Sequence, residues 1–267
     1  MTGLERYRDR RVLITGAGSG IGQASVLRIL AEGGTVVAAD ISRDGLEDTT
    51  AKAEGHSDRL RTVEIDVASE QSVREGVASA VAKLGGLDTL INAAAILRSS
   101  HVVNTALSDF EQVIRVNLIG TFLMIREAVP ALLEGVSPAV VNFSSTSSQF
   151  AHPYMTAYAA SKGGVQAMTH AMAMEFSRQG IRFNSVQPGS ISSGMTDGSG
   201  KSKENDGPGL PDDVDFTLFG KMTPALPLGR AIFGKPEEVA AVVAMLGSTD
   251  ASFMTGTEIR VDGGGHM

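Results

Sequence analysis

The run Val12-Leu13-Ile14, followed at once by Thr15-Gly16-Ala17-Gly18-Ser19-Gly20-Ile21-Gly22, constrains the fold of this chain more than any other stretch. Three aliphatic residues in a row read as a buried strand. The glycines then turn the chain tightly, and a helical pattern follows through Ala24, Val26, Leu27, Ile29 and Leu30 up to Gly33-Gly34. Strand, glycine turn and helix form the setting in which backbone N–H groups and the positive end of a helix dipole meet a phosphate. The general dinucleotide spacing GxGxxG does not fit, because its last glycine would fall on Ile21. The spacing is TGxxxGxG, on Gly16, Gly20 and Gly22. A purely structural turn with surplus glycines is the competing reading.

Thr35 to Ala39 reads as a second strand, closed by Asp40. An acid at this strand end, about 20 residues beyond the glycines, suits the ribose hydroxyls of a dinucleotide and repels a 2′-phosphate. NAD is therefore expected over NADP; Arg43 lies three residues on, and a turn or cap Asp is the alternative. A polar helix (Leu46 to Glu54), a strand (Leu60 to Ile65), a helix (Glu70 to Leu84) and a strand (Leu87 to Ile91) follow. Asp66 either meets an adenine amino group or caps the next helix. Asn92-Ala93-Ala94-Ala95 either leaves room for a ligand at a strand end or packs closely.

Leu107 to Leu133 reads as one long helix. It holds Asn117, a poor mid-helix residue for which a buried role is expected, and Pro130, expected to kink or end it. Ala139 to Phe143 is a fifth strand running into Ser144-Ser145. A helix opens at Tyr158 and lasts to about Arg178. Strands at 181–186 and 257–261 and a helix at 236–246 complete the pattern. Strands alternating with helices predict a single α/β domain built on a doubly wound parallel sheet.

Tyr158 and Lys162 stand four residues apart and share a helix face. A free phenol titrates near ~10, and a cation within ~4–6 Å favours the phenolate. The pair can then exchange a proton with an alcohol or ketone oxygen. Alone, such a pair is more often a solvated face.

The net charge of −7, with no basic block, argues against nucleic acid as a partner. The absence of cysteine removes disulfides, thiolate metal sites and cysteine catalysis, and fits a reducing cytoplasm. The five histidines have no metal-ligand spacing. Met1 to Arg11 lacks the apolar core of a secretory signal. No apolar run of the ~18 residues a membrane helix needs is expected. Residues 194–215 turn rich in Gly, Ser, Lys, Asp and Pro, and Phe216, Leu218, Phe219 and Met222 follow. A substrate lid over about 194–235 and a plain surface insertion both fit this composition.

Taken in order, TGAGSGIG at 15–22, Asp40, Asp66, NAAA at 92–95, Asn117, NFSS at 142–145, YAASK at 158–162, PGSISS at 188–193 and the VDGG near the end resemble the short-chain dehydrogenase/reductase family across nearly the whole chain. The resemblance implies a Rossmann-type fold with seven parallel strands and helices on both faces. It implies reversible hydride transfer between a nicotinamide and a secondary alcohol or ketone. Tyr158 would be the acid/base, Lys162 would lower its pKa and hold the nicotinamide ribose, and Ser145, with Ser144 as the neighbouring candidate, would polarise the substrate oxygen. Asn117 would hold a water that links Lys162 to solvent. Gly16, Ser19, Gly20 and Ile21 would line the pyrophosphate turn, Asp40 the ribose, Asp66 and Val67 the adenine, and Asn92 the middle of the cofactor. Pro188, Gly189, Ile191 and Ser193 would face the nicotinamide.

The family's usual NNAG is NAAA here, Ser193 replaces a usual Thr, and the GR-x-G-x-PEE loop carries two extra residues at 229–238. The apolar lid residues suggest an apolar or alicyclic alcohol. His152, Tyr154 and Gln149 are candidates for substrate contact. A 3-oxoacyl thioester reductase is the alternative chemistry, and a catalytically silent nucleotide-binding protein the alternative class. Family habit implies a homotetramer through the two long helices and the C-terminal strand region. The wider Tyr–Lys spacing of an enoyl reductase is not present.

Overall fold

The strand Arg11–Thr15 (β1) sends Leu13 to one side and Val12 and Ile14 to the other, and all three are fully buried. A strand covered on both faces needs helices on both faces. The computed structural model describes residues 5–197, 209–222, 225–226 and 233–266. The further strands are β2 (Thr35–Asp40), β3 (Leu60–Glu64), β4 (Thr89–Asn92), β5 (Ala139–Phe143), β6 (Arg182–Pro188) and β7 (Glu258–Val261). Among the described residues they make one seven-stranded sheet in the order β3-β2-β1-β4-β5-β6-β7, every pairing parallel. The order reverses between β1 and β4, and a crevice opens there at the carboxyl ends of the strands.

The helices are α1 (Gly20–Ala31), α2 (Arg43–Lys52), α3 (Glu70–Leu84), α4 (Leu107–Ile114), α5 (Gly120–Leu133), α6 (Thr156–Glu175), the single turn α7 (Gly194–Asp197) and α8 (Pro236–Gly247). One core packs Val12 and Ile14 with Val26, Ile29 and Leu30 of α1 and Val239 and Val243 of α8. The other packs Leu13 with Val73 and Val77 of α3, Leu123 and Leu132 of α5 and Ala173 of α6.

Several boundaries differ from the sequence reading, each for a local reason. The long helix from 107 to 133 is interrupted by a π turn at Arg115–Ile119 that carries the buried Asn117. Pro130 does not end it; the helix continues to Leu133. This helix also has a mean hydropathy of 1.5 and is long enough to cross a membrane, although no unbroken apolar run was expected. Its apolar side instead lies in the core through Leu123, Met124, Ile125, Ala128 and Leu132. Helix α6 opens at Thr156, so Tyr158 falls in its first turn, and Ser69 rather than Asp66 caps α3. The Asp66 carboxylate closes its own turn by accepting the Ala68 N–H at 2.9 Å. Residues 229–232 of the expected insertion, and the parts of the expected lid at 198–208, 223–224 and 227–232, lie outside the described residues.

The carboxyl end of α8 is closed from below by two buried cations. Arg182 donates to the Leu246 and Ser248 carbonyls at 2.9 and 2.8 Å, and Arg10 to the Gly247 carbonyl at 3.1 Å. The Tyr7 hydroxyl takes the Ala244 carbonyl at 2.9 Å. Cations suit this end of a helix dipole, and burial holds both guanidinium pKa values below their usual range. Replacing Arg182 with Met leaves two buried carbonyls without donors. A loss of about 2 kcal/mol or more is expected in urea unfolding, with the fold retained.

Candidate active site

The turn after β1 reaches its shape through close approaches that tolerate no side chain. Gly16 has φ 65, and a Cβ there would lie 2.6 Å from the Ala94 nitrogen. Gly20 has φ 50, and its missing Cβ would sit 3.3 Å from Cβ of Ser193. The turn is thus pressed between the ends of β4 and β6. Helix α1 leaves it with no acid in its first turn, and the Ser19 side chain does not cap it. Asp40 braces the turn from β2: its Oδ2 accepts the Gly18 N–H at 2.9 Å and its Oδ1 the Ser42 N–H at 2.8 Å. The turn-Asp reading therefore describes Asp40 as it stands here, and the carboxylate is fixed at the crevice edge. Arg43, exposed, pairs with Glu64 at 3.3 Å.

Strand β5 delivers two serines that part company. Ser144 donates to the Val186 carbonyl at 3.0 Å and is locked into the sheet. Ser145 caps the short turn Thr146–Ser148 and lies against the Tyr158 phenol, where its hydroxyl pulls the phenol's pKa down. Of the two, Ser145 is the one that meets Tyr158. One turn along α6, the Lys162 ammonium donates to the Phe143 carbonyl at 2.8 Å and lies 5.6 Å from the centre of the Tyr158 ring.

The electrostatics differ from the sequence expectation. Burial pushes Tyr158 up to about 12, outweighing Ser145, and pushes Lys162 down to about 7. The phenol of the protein alone is therefore not acidified by the amine. Both groups are driven toward their neutral forms, because a low-dielectric site penalises either charge.

Asn117 also has a different occupation. Its Oδ1 accepts the Ile96 N–H at 2.8 Å, and its Nδ2 donates to the Ile96 carbonyl at 2.9 Å and to Ser161 Oγ at 3.0 Å. The side chain pins the loop after β4 to α6, and its two amide protons are already donated. Asn92 gives its Nδ2 to Asn142 at 2.9 Å, while its Oδ1 is buried without a partner. Asn142 passes on to Thr169 at 2.9 Å.

At the end of β6, the Gly189 N–H donates to Val261 at 3.0 Å and Ile191 bridges to Gly234. Ser193 lies beside Thr196, with hydroxyls 3.3 Å apart. Asp66 and Val67 follow β3 at the edge of the sheet, and Gly120 fits tightly under Val67. His152 is turned aside, stacked on His266 at 5.3 Å, and burial holds its pKa below the usual histidine range. Of the lid residues, Phe216 and Leu218 are exposed, Phe219 stacks on Tyr154, and the side chain of Met222 lies outside the described set.

A family model described as enoyl-(acyl carrier protein) reductase matches residues 16–266. The 3-oxoacyl-[acyl-carrier-protein] reductase of Thermotoga maritima is 38% identical over 259 residues, 97% of this chain and 98% of that one. The levodione reductase of Leifsonia aquatica is 34% identical over 263 residues, 97% and 95% of the two chains. A crystal structure of a short-chain dehydrogenase from Mycobacterium paratuberculosis bound to NAD superposes with TM-score 0.87, at 29% identity and over 97% and 98% of the chains. The chain belongs to the short-chain dehydrogenase/reductase family. Short-chain dehydrogenases/reductases are nicotinamide-dependent oxidoreductases acting on CH–OH and C=O groups.

The residues present fit a dinucleotide. The glycine turn puts bare backbone at the N-terminus of α1, packed so closely that a Cβ would collide, and the orphaned buried Oδ1 of Asn92 lies at the end of the neighbouring strand β4. Of the two positions that depart from NNAG, Ala93 packs half-buried against the core of Val12 and Ile14, and Ala95 is half-buried. Sequence reasoning missed Asn142, Thr169 and Ser161. An Asn inside the strand Ala-Val-Val-Asn-Phe is a buried polar residue that needs a partner, and that signal was available.

Burial of Lys162 has a consequence for stability. The unfolded chain keeps this proton up to about pH 10.5, whereas the folded state releases it near 7. Between those values the unfolded state binds more protons, so this group makes stability rise with pH. Above pH 10 the raised Tyr158 acts in the opposite sense, since the unfolded phenol ionises first. Melting temperature against pH is expected to climb less steeply from 7 to 10 in Lys162→Met than in the parent. Equal slopes would contradict this.

Proposed function

We propose that this enzyme interconverts an apolar or alicyclic secondary alcohol and its ketone with NAD as the preferred cofactor. The observation that carries the reading is the meeting of Ser145, Tyr158 and Lys162 at the crevice where β4, β5 and β6 end. When bound, nicotinamide supplies the hydride or accepts it. The chain's own residues would manage the oxygen. Tyr158, neutral at physiological pH, would donate its proton to a ketone oxygen, and Ser145 would donate a hydrogen bond to the same oxygen. Lys162, while charged, would stabilise the phenolate left behind. Gly16, Ser19, Gly20 and Ile21 would hold the pyrophosphate, Asp40 the ribose, Asp66 and Val67 the adenine, and Asn92 the middle of the cofactor. Pro188, Gly189, Ile191 and Ser193 would face the nicotinamide. Asn117 would act by positioning α6 against the loop after β4, and any water it orders would sit on its backbone carbonyl.

The preference for NAD is supported by the fixed Asp40 carboxylate and by the engagement of Arg43 with Glu64, which leaves no cation directly beside Asp40, among the described residues, to receive a 2′-phosphate. The apolar lid residues support the substrate class. A 3-oxoacyl thioester remains the second reading, favoured by the Thermotoga relative. Assembly as a homotetramer is supported by the exposed Leu107, Phe122 and Leu133 on α4 and α5 and Met174 on α6. The lack of cysteine fits a cytoplasmic setting.

Tyr158→Phe is expected to lower turnover about 10²–10⁴-fold while NADH binding, followed by fluorescence, changes less than about twofold. Loss of both together would mark Tyr158 as structural. The kcat/KM for ketone reduction is expected to fall as pH rises through about 7, where Lys162 loses its charge while Tyr158 keeps its proton. A profile flat to pH 10 would contradict the assigned role of Lys162. NAD is expected to raise Tm more than NADP at equal concentration.

A further inference from the structure

Tyr154 is held in the left-handed region, at φ 65, where a bulky side chain is an outlier. Such strain persists only where the surroundings over-determine it, and it gathers at sites of function. Three segments hold this residue. Its carbonyl accepts the Ser100 N–H at 2.9 Å, from the loop after β4. Its ring meets His101 edge-on at 5.0 Å and stacks on Phe219 at 6.1 Å. Its hydroxyl accepts the Asp215 N–H at 3.1 Å. His101 joins the same segment through Asp213, at 2.8 Å. Tyr154 stands four residues before Tyr158, just ahead of α6. The loops that leave β4, β5 and β6 therefore meet around one phenol ring, one turn of chain ahead of Tyr158.

We propose that Tyr154 is a specificity-determining residue: with His101 and Phe219 it forms an aromatic wall for the non-reacting part of a cyclic ketone or alcohol, and its hydroxyl seats the 209–222 segment beside that wall. This rests on the alcohol–ketone reading and narrows it to ring-bearing substrates. A flat ring meets an aromatic face with little conformational freedom to lose, whereas an open chain of the same size must give up rotamers to lie there. The backbone supports the same assignment. A glycine would take φ 65 without strain, so the bulky side chain at 154 is explained by what its ring and hydroxyl touch rather than by the turn.

The test compares reduction of cyclohexanone and 2-hexanone, equal in carbon number, by NADH in the parent, Tyr154→Phe and Tyr154→Gly. The parent is expected to prefer the cyclic ketone in kcat/KM. In Tyr154→Gly the KM for cyclohexanone is expected to rise about tenfold and that for 2-hexanone only about two- to threefold, which removes most of the preference. Tyr154→Phe keeps the wall and loses the hydroxyl; it is expected to raise both KM values by one similar small factor. Because glycine suits this backbone, Tm is expected to stay within a few degrees and NADH binding to be unchanged, which separates a specificity role from a structural one. An unchanged cyclic-to-linear ratio in Tyr154→Gly, or an equal fall in kcat for both ketones, overturns the inference and leaves the alcohol–ketone reading standing. A parent that reduces 3-oxoacyl thioesters and neither ketone overturns both.

Discussion

The Lys162 ammonium, buried and donating to the Phe143 carbonyl, ties α6 to the end of β5. That contact and the Asn142–Thr169 bond hold α6 against β5, with Tyr158 one turn before Lys162. A charge in such a place is costly, which is why the amine is pushed down to about 7. The neighbouring phenol, pushed up to about 12, bears the complementary penalty. The pair is balanced near neutrality instead of being charged in advance.

Everything else in the sheet serves to bring strand ends to the same crevice. The glycine turn is in contact with the backbone after β4 and with Ser193 beyond β6, so three strand ends converge within a few residues of one another. Asp40 holds the turn from the β2 side. Asn117 holds the β4 loop to α6 from the opposite side, and the π turn around it is what points a mid-helix side chain at two backbone groups of Ile96. These are backbone-directed bonds, and they set positions that no apolar packing would fix alone.

The fold was legible because its signals are periodic. Buried strands, amphipathic helices and the strand–glycine–helix entry can each be read without knowing what lies across the sheet. The Tyr158–Lys162 spacing was legible for the same local reason, whereas Ser145, thirteen residues before the tyrosine, was legible only through the family resemblance. The sign of the pKa shifts was not, since it depends on how much water the fold removes, and spacing carries no information about burial. The choice between Ser144 and Ser145 waited on which hydroxyl the Val186 carbonyl takes. The work of Asn117 waited on a π turn that the helical pattern of 107–133 conceals. The strain at Tyr154 was hidden because nothing in Pro153-Tyr154-Met155 announces a positive φ.

The most direct test is the ionisation of Tyr158 itself, followed by NMR of ring-labelled tyrosine and assigned with Tyr158→Phe. In the free enzyme the phenol should stay protonated through pH 10 and titrate near 12, above an ordinary tyrosine. A phenolate already formed near pH 7 would contradict the account, because the pair would then be a standing ion pair and not a buried amine and a half-buried phenol held neutral by their surroundings.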